Sequence, residues 1–143
     1  MRTVDIHQAA RDGNVEAIQI FLKHGGNACD LDRYDCEPLY YAVKHDQYEA
    51  AQLLLLSGGD VNRNSKFRGD PIGAAVWNLN IRMIKLTAIS GADINRLRNG
   101  ETPLDSLNVL RRLAKDDAEA IVRLDEIEEL LISLGGRRSR ENT

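Results

Sequence analysis

Apolar residues recur along the chain at spacings of three and four in a series of short blocks: Ala17, Ile18, Phe21 and Leu22, then Ala50, Leu53, Leu54 and Leu55, then Ile81, Ile84, Leu86 and Ile89. Each block predicts an amphipathic helix with one buried face. Ahead of each lies a shorter stretch of small residues, Ala9-Ala10, Ala42 and Ala74-Ala75, which lets a neighbouring helix approach closely. Pro38, Pro71 and Pro103 stand where a first helical residue has no intrahelical N–H partner, so each predicts a helix start. Gly25, Gly58 and Gly91 follow the apolar blocks and suit the left-handed residue that closes a helix. The chain then runs outward at Asp60 to Asn62 and again at Asp93 to Asn95. The predicted unit is two short helices followed by a protruding turn.

The unit repeats. Shifting the sequence against itself by 33 residues aligns Ile6, Leu39 and Ile72, then Ala9, Ala42 and Ala75, and brings Gly25-Gly26 onto Gly58-Gly59 and Gly91-Ala92. After Asn95 the connector is one residue shorter, and Thr102-Pro103-Leu104 opens a fourth unit. The expected organisation is one domain over residues 1–136, with repeats at about 4–32, 33–65, 66–97 and 98–136, and a flexible charged tail at 137–143. The ends differ, because terminal repeats expose one side to water. Unit one resembles an N-terminal cap, and unit four carries about 12 extra residues before Gly135-Gly136. There, Asp116-Asp117 predicts the start of a long closing helix, with Ile121, Leu124, Ile127, Leu131 and Leu134 inward and Asp125, Glu126, Glu128 and Glu129 in solvent.

The residues ETPL at 101–104 and GADIN at 91–95, set in this period, resemble the ankyrin repeat and its TPLHxA signature. The resemblance implies an all-α solenoid of four helix-turn-helix repeats, with a degenerate N-terminal cap and an elongated C-terminal capping helix. Glu37 and Asp70 replace the usual threonine. Only His7 keeps the histidine, and Tyr40, Gly73 and Asp105 stand in its place, where part of the family's hydrogen-bond network is expected to be lost. The resemblance also implies a concave binding strip made by the turns and first helices. Its expected partner-binding residues are Arg33, Tyr34, Tyr41, Lys44, His45, Lys66, Phe67, Trp77, Asn78, Arg98, Asn99 and Glu101, with Gln8, Arg11, Asp12, Cys36, Gly69 and Ala74 alongside.

Composition adds three points. With 143 residues, 43% hydrophobic and 29% charged, the chain has the size and balance of one soluble globular domain. Of its seven aromatic residues, Tyr34, Tyr41, Phe67 and Trp77 map to the strip, and aromatics carry much of the binding energy at protein interfaces. Charge is uneven: the turn from Asn27 to Glu37 holds four acids and one base, and that from Asp60 to Asp70 two acids and three bases. Such a dipolar strip favours a complementary protein over nucleic acid, whose phosphates Asp30, Asp32, Asp35 and Glu37 would repel.

Candidate chemistry is sparse. His7, His24 and His45 occupy non-equivalent repeat positions, no HExxH or paired CxxC spacing occurs, and the glycine pairs precede loops, not a phosphate-binding helix. The expectation is a non-enzymatic module with no cofactor or metal, binding one protein partner and neither nucleic acid nor membrane, and monomeric when free. The opening MRTVDIHQAA lacks a secretory apolar core, which predicts a cytoplasmic protein with Cys29 and Cys36 reduced. Short ankyrin chains of this kind resemble bacterial ones, including immunity proteins that occlude a cognate toxin. The alternatives are an adaptor or effector that recruits a cellular protein, and a thiol-based accessory protein.

Overall fold

The computed structural model describes residues 4–142 and is all-helical. The helices run in antiparallel pairs: α1 (Ile6–Asp12) with α2 (Val15–Lys23), α3 (Pro38–Lys44) with α4 (Tyr48–Leu56), α5 (Pro71–Trp77) with α6 (Ile81–Ile89), and α7 (Pro103–Ala114) with α8 (Ala118–Ser133). Each of the three prolines is the first residue of its helix. One residue of the turn inside each pair takes a positive φ: Gly13, Asp46, Leu79 and Lys115. Every second helix closes with two backbone bonds of one pattern, such as Gly58 N–H to Leu55 C=O and Gly59 N–H to Leu54 C=O. Local chemistry therefore marks the same helix boundaries in each repeat.

Stacking supplies the core. Ala9, Ala10, Ala42 and Ala75 are buried where first helix meets first helix, and Ile18, Leu54 and Ile84 fill the space behind them. The first helices pack against one another from α1 through α7, while the second helices approach less closely. The stack therefore bends toward the row of first helices, and the connecting fingers project along that concave side. Isolated β-bridges, Ser65 with Gly69 and Arg98 with Glu101, close the tips of the second and third fingers.

The elongated closing helix expected in unit four is α8, which starts at the Asp117 cap and runs 16 residues where the other second helices run 9, and the extra residues also lengthen α7 to 12 where α1, α3 and α5 run 7. An antiparallel pair must lengthen both arms to bring Gly135 back to its place. Arg111 clasps the extended arms, donating to Asp125 at 2.7 Å and Glu128 at 2.6 Å, so Glu128 is an ion-pair partner and not a freely solvated acid. Ile89 and Leu134 lie outside the apolar stripes to which they were assigned, at 85% and 40% exposure, because both fall at the ends of their helices beyond the packed face. Arg137 and Ser139, in the segment expected as a tail, hydrogen-bond to units three and four: Arg137 N–H donates to Asn95 Oδ1, Thr102 Oγ1 donates to Arg137 C=O, and Ser139 N–H donates to Asp105.

Candidate functional site: the concave strip

The fingers are laced by side chains at fixed repeat positions. Asn62 donates to Gly91 C=O at 2.9 Å and accepts Asp93 N–H at 2.7 Å, and Asn95 does the same with Gly135 and Arg137. Cys29 holds the equivalent place one unit earlier. Its thiol donates to Gly58 C=O at 3.1 Å but leaves Asp60 N–H without that acceptor, and the Glu37 carboxylate takes it at 2.9 Å. The two departures from the repeat pattern thus compensate each other. Burial pushes both the Glu37 carboxyl and the Cys29 thiol up, and burial raises the Cys36 thiol as well. A raised thiol is a weaker nucleophile at neutral pH, and both thiols donate to backbone carbonyls, Cys29 to Gly58 and Cys36 to Tyr34.

The register of the family histidine also departs from expectation. His7 Nε2 lies 2.8 Å from Asp30 C=O and 3.0 Å from Cys36 C=O, bridging units one and two. Tyr40 does not lose that bridge, because its hydroxyl donates to Arg68 C=O at 3.2 Å. Asp105 keeps one too, accepting Ser139 N–H at 3.0 Å. Only Gly73 cannot reach across.

The predicted strip residues separate into three groups. Phe67 and Trp77 are exposed at 65% and 50%, and Lys44, His45, Lys66, Arg33, Arg98, Asn99 and Glu101 are also exposed. Phe67 is aimed outward by Ser65, whose buried hydroxyl donates to Tyr34 C=O at 2.6 Å and accepts the N–H groups of Phe67 and Arg68. Tyr34 is half-buried between two guanidinium groups, Arg33 at 5.0 Å and Arg68 at 4.5 Å from its ring centre. His45 sits beside like charges, and burial with Arg11 and Lys44 holds its imidazole below the usual histidine range.

Tyr41 and Cys36 turn inward. Tyr41 is only 5% exposed, its hydroxyl donates to Asp32, and its ring meets His7 and Tyr40 edge-on at 5.9 and 5.6 Å. It is a joint between units one and two, not an open contact. Burial alone would raise the Asp32 carboxyl, but bonds from Tyr41 Oη and the Cys36 and Tyr34 N–H groups outweigh it and hold the carboxyl below its ordinary range. Cys36 is buried, whereas Asn78 is exposed and its amide donates to Lys44 C=O at 2.6 Å, stitching units two and three.

The same folding removes most of the expected acidic end. Asp32 is bound to Tyr41, Asp35 pairs with Arg63, and Glu37 is buried on Asp60 N–H, leaving Asp30 as the exposed acid of the first finger. Outward-facing charge on this side is dominated by Arg11, Arg33, Lys44, Lys66, Arg68 and Arg98. The dipolar strip read from the sequence is mainly cationic in three dimensions.

A pocket of about 340 Å³ opens between α3, α5, α7 and the second and third fingers, lined among others by Tyr40, Arg68, Gly73, Trp77 and Arg98. Sequence reasoning missed Tyr40 and Arg68. The signal available for the pocket was Gly73 itself, a residue without a side chain where three other units carry a bridging one. Among the described residues no helix is long and apolar enough to cross a membrane, and no group of three His, Cys, Asp or Glu could hold a metal ion.

Residues 5–65 match the family model for ankyrin repeats (3 copies), and no curated protein matches the chain at a significant level. The matched segment covers α1 to α4, and α5 to α8 repeat the same antiparallel pairing and finger lacing, so the chain has the fold of an ankyrin-repeat solenoid.

Proposed function

We propose that the chain works by stoichiometric, non-catalytic binding of one protein partner across its concave strip, covering a surface of that partner. The supporting observation is the pair Phe67 and Trp77, two large rings held out in water at 65% and 50% exposure on the side where the fingers project. A chain with seven aromatic residues could have buried both in its apolar helices, and such rings surrounded by cations are typical interface anchors.

Capture from the native lysate, with the wild-type chain and the Phe67→Ala/Trp77→Ala double variant compared by mass spectrometry, tests this reading. A partner retained by the wild type and lost by the variant, forming a one-to-one complex, is the expected result. Equal retention by both would place the interface elsewhere. Occlusion of a toxin by an immunity protein is the inhibitory form of this function, and recruitment by an adaptor is the other. Where the captured partner is an enzyme or toxin, its activity should fall to background at one equivalent of the chain if the role is inhibition and persist if it is recruitment.

A further inference from the structure

The pocket between units three and four has an origin readable in the repeat. His7, Tyr40 and Asp105 each send a side chain from the first helix to the next finger or segment, and Gly73 occupies their register with none. A side chain there is opposed locally, since a Cβ on Gly73 would stand 2.8 Å from Asp70 Oδ1, the atom that caps α5 by accepting Gly73 N–H. The space is therefore left open at the surface, with Trp77 as one wall.

Charge around this opening is unbalanced. Lys44, Arg68 and Arg98 all line it, all are exposed, and none has a carboxylate ion-pair partner among the described residues. Two are positioned by rings: the Arg68 guanidinium lies 4.5 Å from the Tyr34 ring centre, and the Lys44 ammonium 5.8 Å from that of Tyr40. The acids present offset them only in part: Asp70 is nearly buried, faces Arg96 at 3.5 Å and also feels the charge of Arg98, and Glu101 is an exposed lining residue. Three cations lining one opening beside an indole suit a carboxylate with an apolar neighbour. A nucleic acid would require a longer run of bases, and Glu101, Asp30 and Asp12 interrupt this one.

Building on the protein-binding reading above, we propose that this pocket receives an aspartate or glutamate side chain from the partner, with an adjacent apolar residue of the same segment covering Trp77. Acidic segments are thereby selected over neutral or basic ones.

The test uses the full chain and a phage-displayed library of random linear peptides. Selected sequences should be enriched in Asp or Glu next to an apolar residue. Trp77 is the chain's single tryptophan, so titration with a synthetic selected peptide reports on the pocket through its fluorescence. Arg98→Glu and Arg68→Glu should each weaken that peptide about tenfold or more, and replacing its acidic residue by Lys should restore part of the loss. Both arginines are exposed; Lys44→Glu is a third charge reversal, and melting curves establish that each variant is folded. Peptides that bind without acid enrichment, or that ignore the charge reversals while requiring Trp77, would overturn the carboxylate pocket and leave the protein-binding strip standing. Tighter binding of a single-stranded oligothymidylate or polyadenylate, falling steeply with salt, would also overturn it by assigning the cations to phosphate. Failure to select any peptide removes the pocket ligand, and with no protein captured from lysate it removes the strip as well.

Discussion

Tyr41 offers the sharpest test of how the units are joined. Its ring is 95% withdrawn from water and its hydroxyl donates to an ionised carboxylate at Asp32. The ring also packs edge-on against His7 and Tyr40, with the Arg11 guanidinium 5.2 Å from its centre. Truncation of a buried aromatic costs about 3–5 kcal/mol, out of roughly 5–15 kcal/mol for a whole domain. Tyr41→Ala should therefore lose about a fifth or more of the total. Tyr41→Phe removes only the hydroxyl, and a hydrogen bond to a charged group contributes about 1.5–3 kcal/mol. Because Asp32 keeps the N–H groups of Tyr34 and Cys36, the cost should lie at the lower end of that range.

The pH dependence of the Tyr41→Phe difference carries further information. Asp32 titrates below its ordinary value in the folded chain, so its stabilisation is complete above about pH 4 and is lost as the pH falls through the depressed folded value. Removing the Tyr41 hydroxyl takes away one cause of that depression. The stability gap between wild type and Tyr41→Phe should therefore narrow on acidification from pH 7 toward pH 3, other carboxylates cancelling in the difference. Urea denaturation followed by far-UV circular dichroism at several pH values measures it. A gap that stays constant with pH, or a Tyr41→Ala variant within 1 kcal/mol of wild type, would refute Tyr41 as the joint between units.

Three further outcomes are expected. Phe67→Ala and Trp77→Ala should each change stability by less than about 0.5 kcal/mol, as exposed side chains do, yet weaken partner binding by roughly 2 kcal/mol in titration calorimetry. Cys29→Ser should be nearly neutral by thermal melting because a hydroxyl can also donate to Gly58, whereas Cys36→Ser, at a site 1% exposed, should cost about 1–3 kcal/mol. Burial raises the Glu37 carboxyl, so wild-type stability gains from this residue as the pH falls through its folded value and stops gaining near pH 4. Glu37→Gln can still accept Asp60 N–H and should equal or exceed wild type at pH 7, with any advantage vanishing near pH 4.

The helical pairs were legible because their signals are local. Proline at the first helical residue and glycine after the last act over one turn, and the spacing of three and four in an apolar block marks a buried face. Repetition then multiplies a weak signal, since Ile6, Leu39 and Ile72 each make the same prediction. The candidate strip was legible only as a set of positions. Phe67 and Trp77 face water as those positions imply, but Tyr41 and Cys36 do not, because the first finger folds back over them through Asp32.

Charge shows the same division. Four acids in the Asn27 to Glu37 turn read as an acidic surface when only their order is known. In the fold, Asp35 meets Arg63 and Glu37 meets Asp60, partners 28 and 23 residues away, and the exposed remainder is cationic. The exchange between Cys29 and Glu37 and the opening at Gly73 likewise depend on which unit stacks on which. Residue order alone determines a periodic solenoid, because turns and caps need only their neighbours. Which rings and charges remain available to a partner is decided by the stacking of units, since burial and ion pairing are properties of side chains brought together from distant parts of the chain.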